Sequence, residues 1–153
     1  MKKEELYKIL DSILKKYGFA KKTPNTWGKE CKETYIVCIL RRSKWKEKYS
    51  IYLGVYFKDY DMSGYPQVHK SHFNFHIDEI CIENDTEKYK DEYLNLNSNM
   101  DNNTRIIILN QRFDKLNLIF PYLETKKTLL QLLEKYPNLK YMLSADAINA
   151  LNL

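Results

Sequence analysis

His69, His72 and His76 lie close together in the chain, and imidazole is both the commonest metal ligand and a natural general base near neutral pH. On a helix their i, i+3, i+7 spacing would set all three along one side, near Asp78 and Glu79. The local pattern argues against a helix. Phe73, Phe75 and Ile77 alternate with His72, Asn74, His76 and Asp78, which is the period-two signature of a strand. On a strand, His72 and His76 stand about 13 Å apart at roughly 3.3 Å per residue. One ion with bonds near ~2 Å cannot span that gap alone. The spacing therefore predicts polar-face histidines, with no metal and no cofactor.

The second candidate is the stretch Arg41-Arg42-Ser43-Lys44-Trp45-Lys46-Glu47-Lys48-Tyr49. Arg41, Arg42, Lys44, Lys46 and Lys48 can neutralise phosphates, while Trp45 and Tyr49 can stack on bases. The plainer reading is a solvated turn between strands, with Trp45 closing over the core. A third candidate is a surface. Tyr52 and Tyr56 share one side of a strand and His72, Asn74 and His76 share one side of another. Neighbouring strands in matching register would join these into a patch of rings and hydrogen-bonding groups, able to stack a base or receive a partner's loop. The alternative is that a helix covers that side.

Catalytic signatures do not emerge. The chain carries no Gly-rich phosphate loop, nucleophile elbow or HExxH motif. Ser43, Ser71 and Ser144 have no base that the sequence sets beside them, and the pairs Asp59/Asp61 and Asp78/Glu79 are generic. Cys31, Cys38 and Cys81 have no metal-type spacing and are expected to be free thiols, two of them in strand-like contexts where Cys packs as a small apolar residue.

The elements that must position these groups follow from hydrophobic periodicity. Leu6, Ile9, Leu10, Ile13, Leu14 and Tyr17 form one stripe of an amphipathic helix, closed by Gly18 with Phe19 folding back on Leu14. Strands are expected at Thr26–Cys31, Tyr35–Leu40, Tyr49–Phe57 and His72–Asp78, the second of them central and covered on both sides. After a polar stretch from Glu83 to Asn103, with a short helix expected at Lys88–Leu94, the pattern turns helical. Ile106, Leu109, Phe113, Leu116 and Phe120 form one stripe ended by Pro121, though Arg105–Leu109 alone also reads as a strand. Leu129, Leu132, Leu133 and Tyr136 form another, ended by Pro137; Ser144 caps a last short helix. The fold class is α+β: an N-terminal helix, an antiparallel meander of about four strands, and C-terminal helices packed on the sheet.

The 153 residues, 44% hydrophobic and 29% charged, suit a single domain spanning 1–153. Glu4, Glu5, Lys8 and Asp11 interrupt any leader-like apolar run, and no segment approaches a bilayer span, so the expected location is the cytoplasm with no membrane partner. Charge is uneven. Residues 1–50 hold 14 Lys/Arg against 6 Asp/Glu, a net of +8, while residues 51–153 hold 11 against 14, a net of −3. Such asymmetry suits a face for an acidic partner. It also suits a lysine-rich codon bias with no partner at all.

The helix ending Gly18-Phe19, the pair Lys21-Lys22 and Trp27 resemble the opening of a bacterial family known only as a domain of unknown function. The run Ile39-Leu40-Arg41-Arg42-Ser43-Lys44-Trp45, leading into Tyr49-Ser50-Ile51-Tyr52-Leu53-Gly54-Val55, is similar to that family's central hairpin. The His72–Ile77 strand falls where the family carries a further strand. The resemblance implies a bacterial origin and an α+β fold and supplies no catalytic residues. One departure is Arg42, where the family more often has Gln.

These readings lead to a non-catalytic macromolecule-binding module, its partner another protein in an immunity- or antitoxin-like role. Its expected contact residues are Trp45, Tyr52, Tyr56, His72, Asn74 and His76. The alternative is a nucleic-acid-binding domain using Arg41, Arg42, Lys44, Trp45, Lys46 and Lys48.

Overall fold

The computed structural model describes residues 1–81 and 92–153. Helix α1 (Lys3–Lys16) buries Leu6, Leu10, Ile13 and Leu14, the expected stripe. Its end is a Schellman closure. Gly18 adopts φ +89°, Phe19 N–H donates to Leu14 O at 3.0 Å and Gly18 N–H to Lys15 O at 3.1 Å. Strands β1 (Ala20–Thr23), β2 (Thr26–Glu30), β3 (Thr34–Arg42), β4 (Tyr49–Phe57) and β5 (Phe73–His76) follow. They form one sheet in chain order, every neighbouring pair antiparallel. The meander thus has five strands where four were expected. All four residues of the extra strand β1 are exposed, so it has no apolar pattern to announce it.

Short α2 (Asp78–Cys81) precedes the undescribed segment, and most of the expected Lys88–Leu94 helix lies outside the described residues; Glu92–Leu94 form a 3-10 turn. Then come α3 (Asn102–Ile119), α4 (Lys126–Lys135) and α5 (Ala145–Ala150), with Asp101, Thr125 and Ser144 as side-chain N-caps. Arg105–Leu109 is therefore helical. The α3 stripe opens on buried Arg105, not on the expected Ile106, which is only half-buried. Among the described residues, no helix is long and apolar enough to cross a membrane.

The helices and one sheet face share the main core. That face carries Thr34, Ile36, Cys38 and Leu40 from β3, Tyr49, Ile51, Leu53, Val55 and Phe57 from β4, and Phe73 and Phe75 from β5. Burying one such aliphatic side chain contributes about 1.5–3 kcal/mol, so the alternation in β4 sets which way the sheet faces. Trp27 of β2 is buried in the same core, and its indole N–H donates to Asp11 Oδ1 of α1 at 2.8 Å.

On the opposite face, none of the described α-helices contributes to the buried cluster, which holds Val37, Tyr56 and, from the 3-10 turn Val68–Lys70, Val68. The β4–β5 connection folds back over one end of this face, packing Met62, Tyr65 and Val68 against Val37 and Tyr56. Among the described residues, the remaining end, towards the β3–β4 hairpin, is uncovered and carries two cavities.

Candidate functional site

Register explains how the open end is assembled. Ile39 of β3 pairs with Tyr52 of β4, and Tyr52 with His76 of β5; Gly54 pairs with Asn74. Residues two apart on a strand share a face, so Ile39, Arg41, Tyr52, Asn74 and His76 all fall on the face opposite the main core. Ile39, Arg41, Tyr52, Asn74, Val68 and His69 line a cavity of about 400 Å³. A second cavity of about 440 Å³ adjoins it, sharing Arg41 and Tyr52, and continues along Arg42, Ser43, Lys44, Trp45 and Lys48 to the hairpin tip. The first cavity carries the aliphatic side chains of Ile39 and Val68, and the second the lysines and Trp45. Among the described residues, none of those lining either cavity is a carboxylate.

The expected contact residues separate into two groups. Trp45 is 88% exposed at the hairpin tip and does not close over the core. Tyr52, Asn74 and His76 are half-buried and adjacent, the Tyr52 and His76 rings meeting edge-on at 4.9 Å. His76 Nδ1 accepts from the Asp78 backbone N–H at 3.0 Å, which fixes its ring.

Tyr56 and His72 do not belong to this surface. Tyr56 is fully buried under the β4–β5 connection, its hydroxyl donating to the Gln67 carbonyl. Burial pushes its phenol up to about 12, so it remains a donor. His72 is buried and stacked on Phe57 at 5.7 Å. Its Nδ1 accepts from Phe57 N–H at 2.8 Å, which leaves Nε2 to donate to Asp61 O, also at 2.8 Å. Both residues anchor the connection that covers the other end of the face. The strand pattern could place them on a polar side but not reveal a cover on it. The three histidines thus occupy three environments: exposed His69, buried His72 and half-buried His76.

In the nucleic-acid set, Arg41, Arg42, Lys44, Trp45 and Lys46 are exposed and Lys48 is half-buried. Glu47, the one acid between residues 41 and 49, ion-pairs with Arg42 and accepts the Tyr49 hydroxyl at 3.4 Å. Pairing spends the acid locally, and the exposed Arg41, Lys44 and Lys46 set the sign of the hairpin. Backbone bonds tie down the hairpin base: Ser43 N–H donates to Lys48 O at 2.8 Å and Leu96 N–H to Glu47 O at 2.8 Å.

Sequence reasoning missed the two supports of this arrangement, Gly54 and Arg105. A Cβ on Gly54 would stand 2.5 Å from Ser71 Oγ and 2.9 Å from Val37 Cγ2, so only glycine lets the connection settle on β4. Arg105 donates to the carbonyls of Glu92, Tyr93, Asn95 and Ser98 and to Ser98 Oγ at 2.6–3.2 Å. It holds the segment against which the hairpin base pairs.

Comparison of the chain with protein-family models, curated proteins and solved structures finds no match, so the resemblance drawn above stands on its quoted residues alone.

Proposed function

We propose that this chain is a non-catalytic binding module that engages an acidic macromolecule through the open end of its second sheet face and the β3–β4 hairpin. The observation that carries the reading is the pair of adjoining cavities, which share Arg41 and Tyr52, are rimmed by arginine and lysine, and have no carboxylate among their described lining residues. Clefts lined by one sign of charge concentrate the field and draw oppositely charged partners. An acidic protein loop and a nucleic acid would both meet these cations.

A non-catalytic role is supported by how the candidate reactive groups are used. His72 has both ring nitrogens bonded to backbone groups, and Ser71 Oγ donates to Val68 O at 2.5 Å. The thiol of Cys38 is fully buried, and burial raises its pKa and that of half-buried Cys31, which keeps both protonated.

Retention on an immobilised polyanion tests the reading. The double variant Arg41→Glu, Lys44→Glu should elute at clearly lower salt than Lys127→Glu, Lys140→Glu, which changes net charge equally at exposed sites on the helical side. Equal shifts for the two variants would reduce the attraction to net charge and remove the site.

A further inference from the structure

Resting on that binding reading, we infer that the acidic partner is a single-stranded nucleic acid, with one base seated in the Ile39–Tyr52–Val68–Asn74 cavity, phosphates on Arg41 and Lys44, and a neighbouring base stacked on Trp45. Charge alone would suit a run of carboxylates equally well. The remaining surface would not. Carboxylates would satisfy the rim and leave the Trp45 indole, 88% exposed, without a counterpart. They would also leave the half-buried Ile39 and Tyr52 side chains in water. A single strand carries one anion and one planar ring per residue, so it covers both kinds of surface at once.

Geometry agrees with this division of labour. Ile39 and Arg41 stand two residues apart on β3, about 7 Å along the strand, so the aliphatic side chain and the first cation are successive positions on one face. From Arg41 the second cavity runs on past Lys44 and Lys48 to Trp45, giving a track with a ring at either end, Tyr52 and Trp45, and cations between. At about 400 Å³ the inner cavity is of a size that holds small planar ligands. At its wall the Asn74 amide offers a donor and an acceptor to a base edge. Duplex ends do not suit the site, because paired bases are stacked inside the helix and cannot enter a cavity.

Tryptophan emission reads the contact directly. The chain has two tryptophans, Trp27 buried and Trp45 exposed, so quenching on titration reports Trp45. The probes are RNA and DNA single strands of about ten nucleotides, the matching duplex, and a polyglutamate peptide of equal charge. Either single strand should quench Trp45 and bind more tightly than the duplex and the peptide. Trp45→Ala should weaken single-strand binding roughly tenfold and Trp45→Phe by less. Arg41→Gln should lower the slope of log affinity against log salt by about 1. Leu118→Ser, on the exposed side of α3, should change nothing. Duplex binding equal to single-strand binding overturns the inference. So does a Trp45→Ala variant that binds as the parent does. Peptide binding without oligonucleotide binding overturns it and leaves the acidic-partner reading standing, whereas no binding to any polyanion removes both.

Discussion

Gly54 is the residue on which the split between covered and open sheet depends. Its missing side chain makes room for Ser71 Oγ and for the side chain of Val37, its cross-strand neighbour on β3. Gly54→Ala should destabilise the fold by about 1–3 kcal/mol, the usual cost of forcing a methyl into a packed site. Denaturant unfolding checks this, and combining it with Ser71→Ala should cost less than the two changes summed, because the second removes the nearest clashing atom. The alternation in β4 made it legible that Gly54 shares a face with Tyr52 and Tyr56. Why the position is glycine was not legible, because Ser71 arrives from 17 residues further along the chain.

At the scale of elements, α3 and the hairpin are linked through the segment that Arg105 holds. Arg105 is buried and burial lowers its pKa, yet its donors meet four backbone carbonyls. Arg105→Ala should cost roughly 2–4 kcal/mol, since it strands those carbonyls in the interior. The amide of Leu96, which donates to Glu47 O, should then exchange faster with solvent than amides of the α1 core. Helical periodicity located α3 through Leu109, Phe113 and Leu116. It assigned the first turn to Ile106 because an arginine reads as a surface residue until its acceptors are known. Strand β1 escaped notice for the opposite reason: its register with β2 holds it in the sheet, while its side chains bury nothing.

Across the whole molecule, α1 is fastened to the sheet by Asp11 and Trp27, and the helical side to the β4–β5 connection by Lys126 and Asp59 at 2.5 Å. The Trp27 indole N–H, and after it Lys15, hold the Asp11 carboxyl below its ordinary value of 3.8; Lys126 does the same for Asp59. A carboxylate depressed by folding stabilises the native state above its ordinary pKa and loses that contribution as pH falls through the lowered one. Asp11→Asn should therefore reduce stability near pH 7 by under about 1 kcal/mol, solvent screening included. The gap between parent and variant should close as unfolding is followed below pH 3.8.

The sequence by itself determined the α+β class, the first helix and four of the five strands, the apolar sides of β4 and β5, and the helix endings at Gly18 and Pro121. Each depends on a period of two or 3.6 residues, or on a backbone preference carried by neighbours in the chain. The tertiary structure decided which part of the polar sheet face is available. Tyr52, Tyr56, His72 and His76 have the same strand-level pattern, yet Tyr56 and His72 lie beneath the β4–β5 connection while Tyr52 and His76 lie beyond it. Alternation reports the side of a strand on which a residue sits. Whether another segment covers that side is settled by contacts between residues distant in the chain, and those contacts leave no period to read.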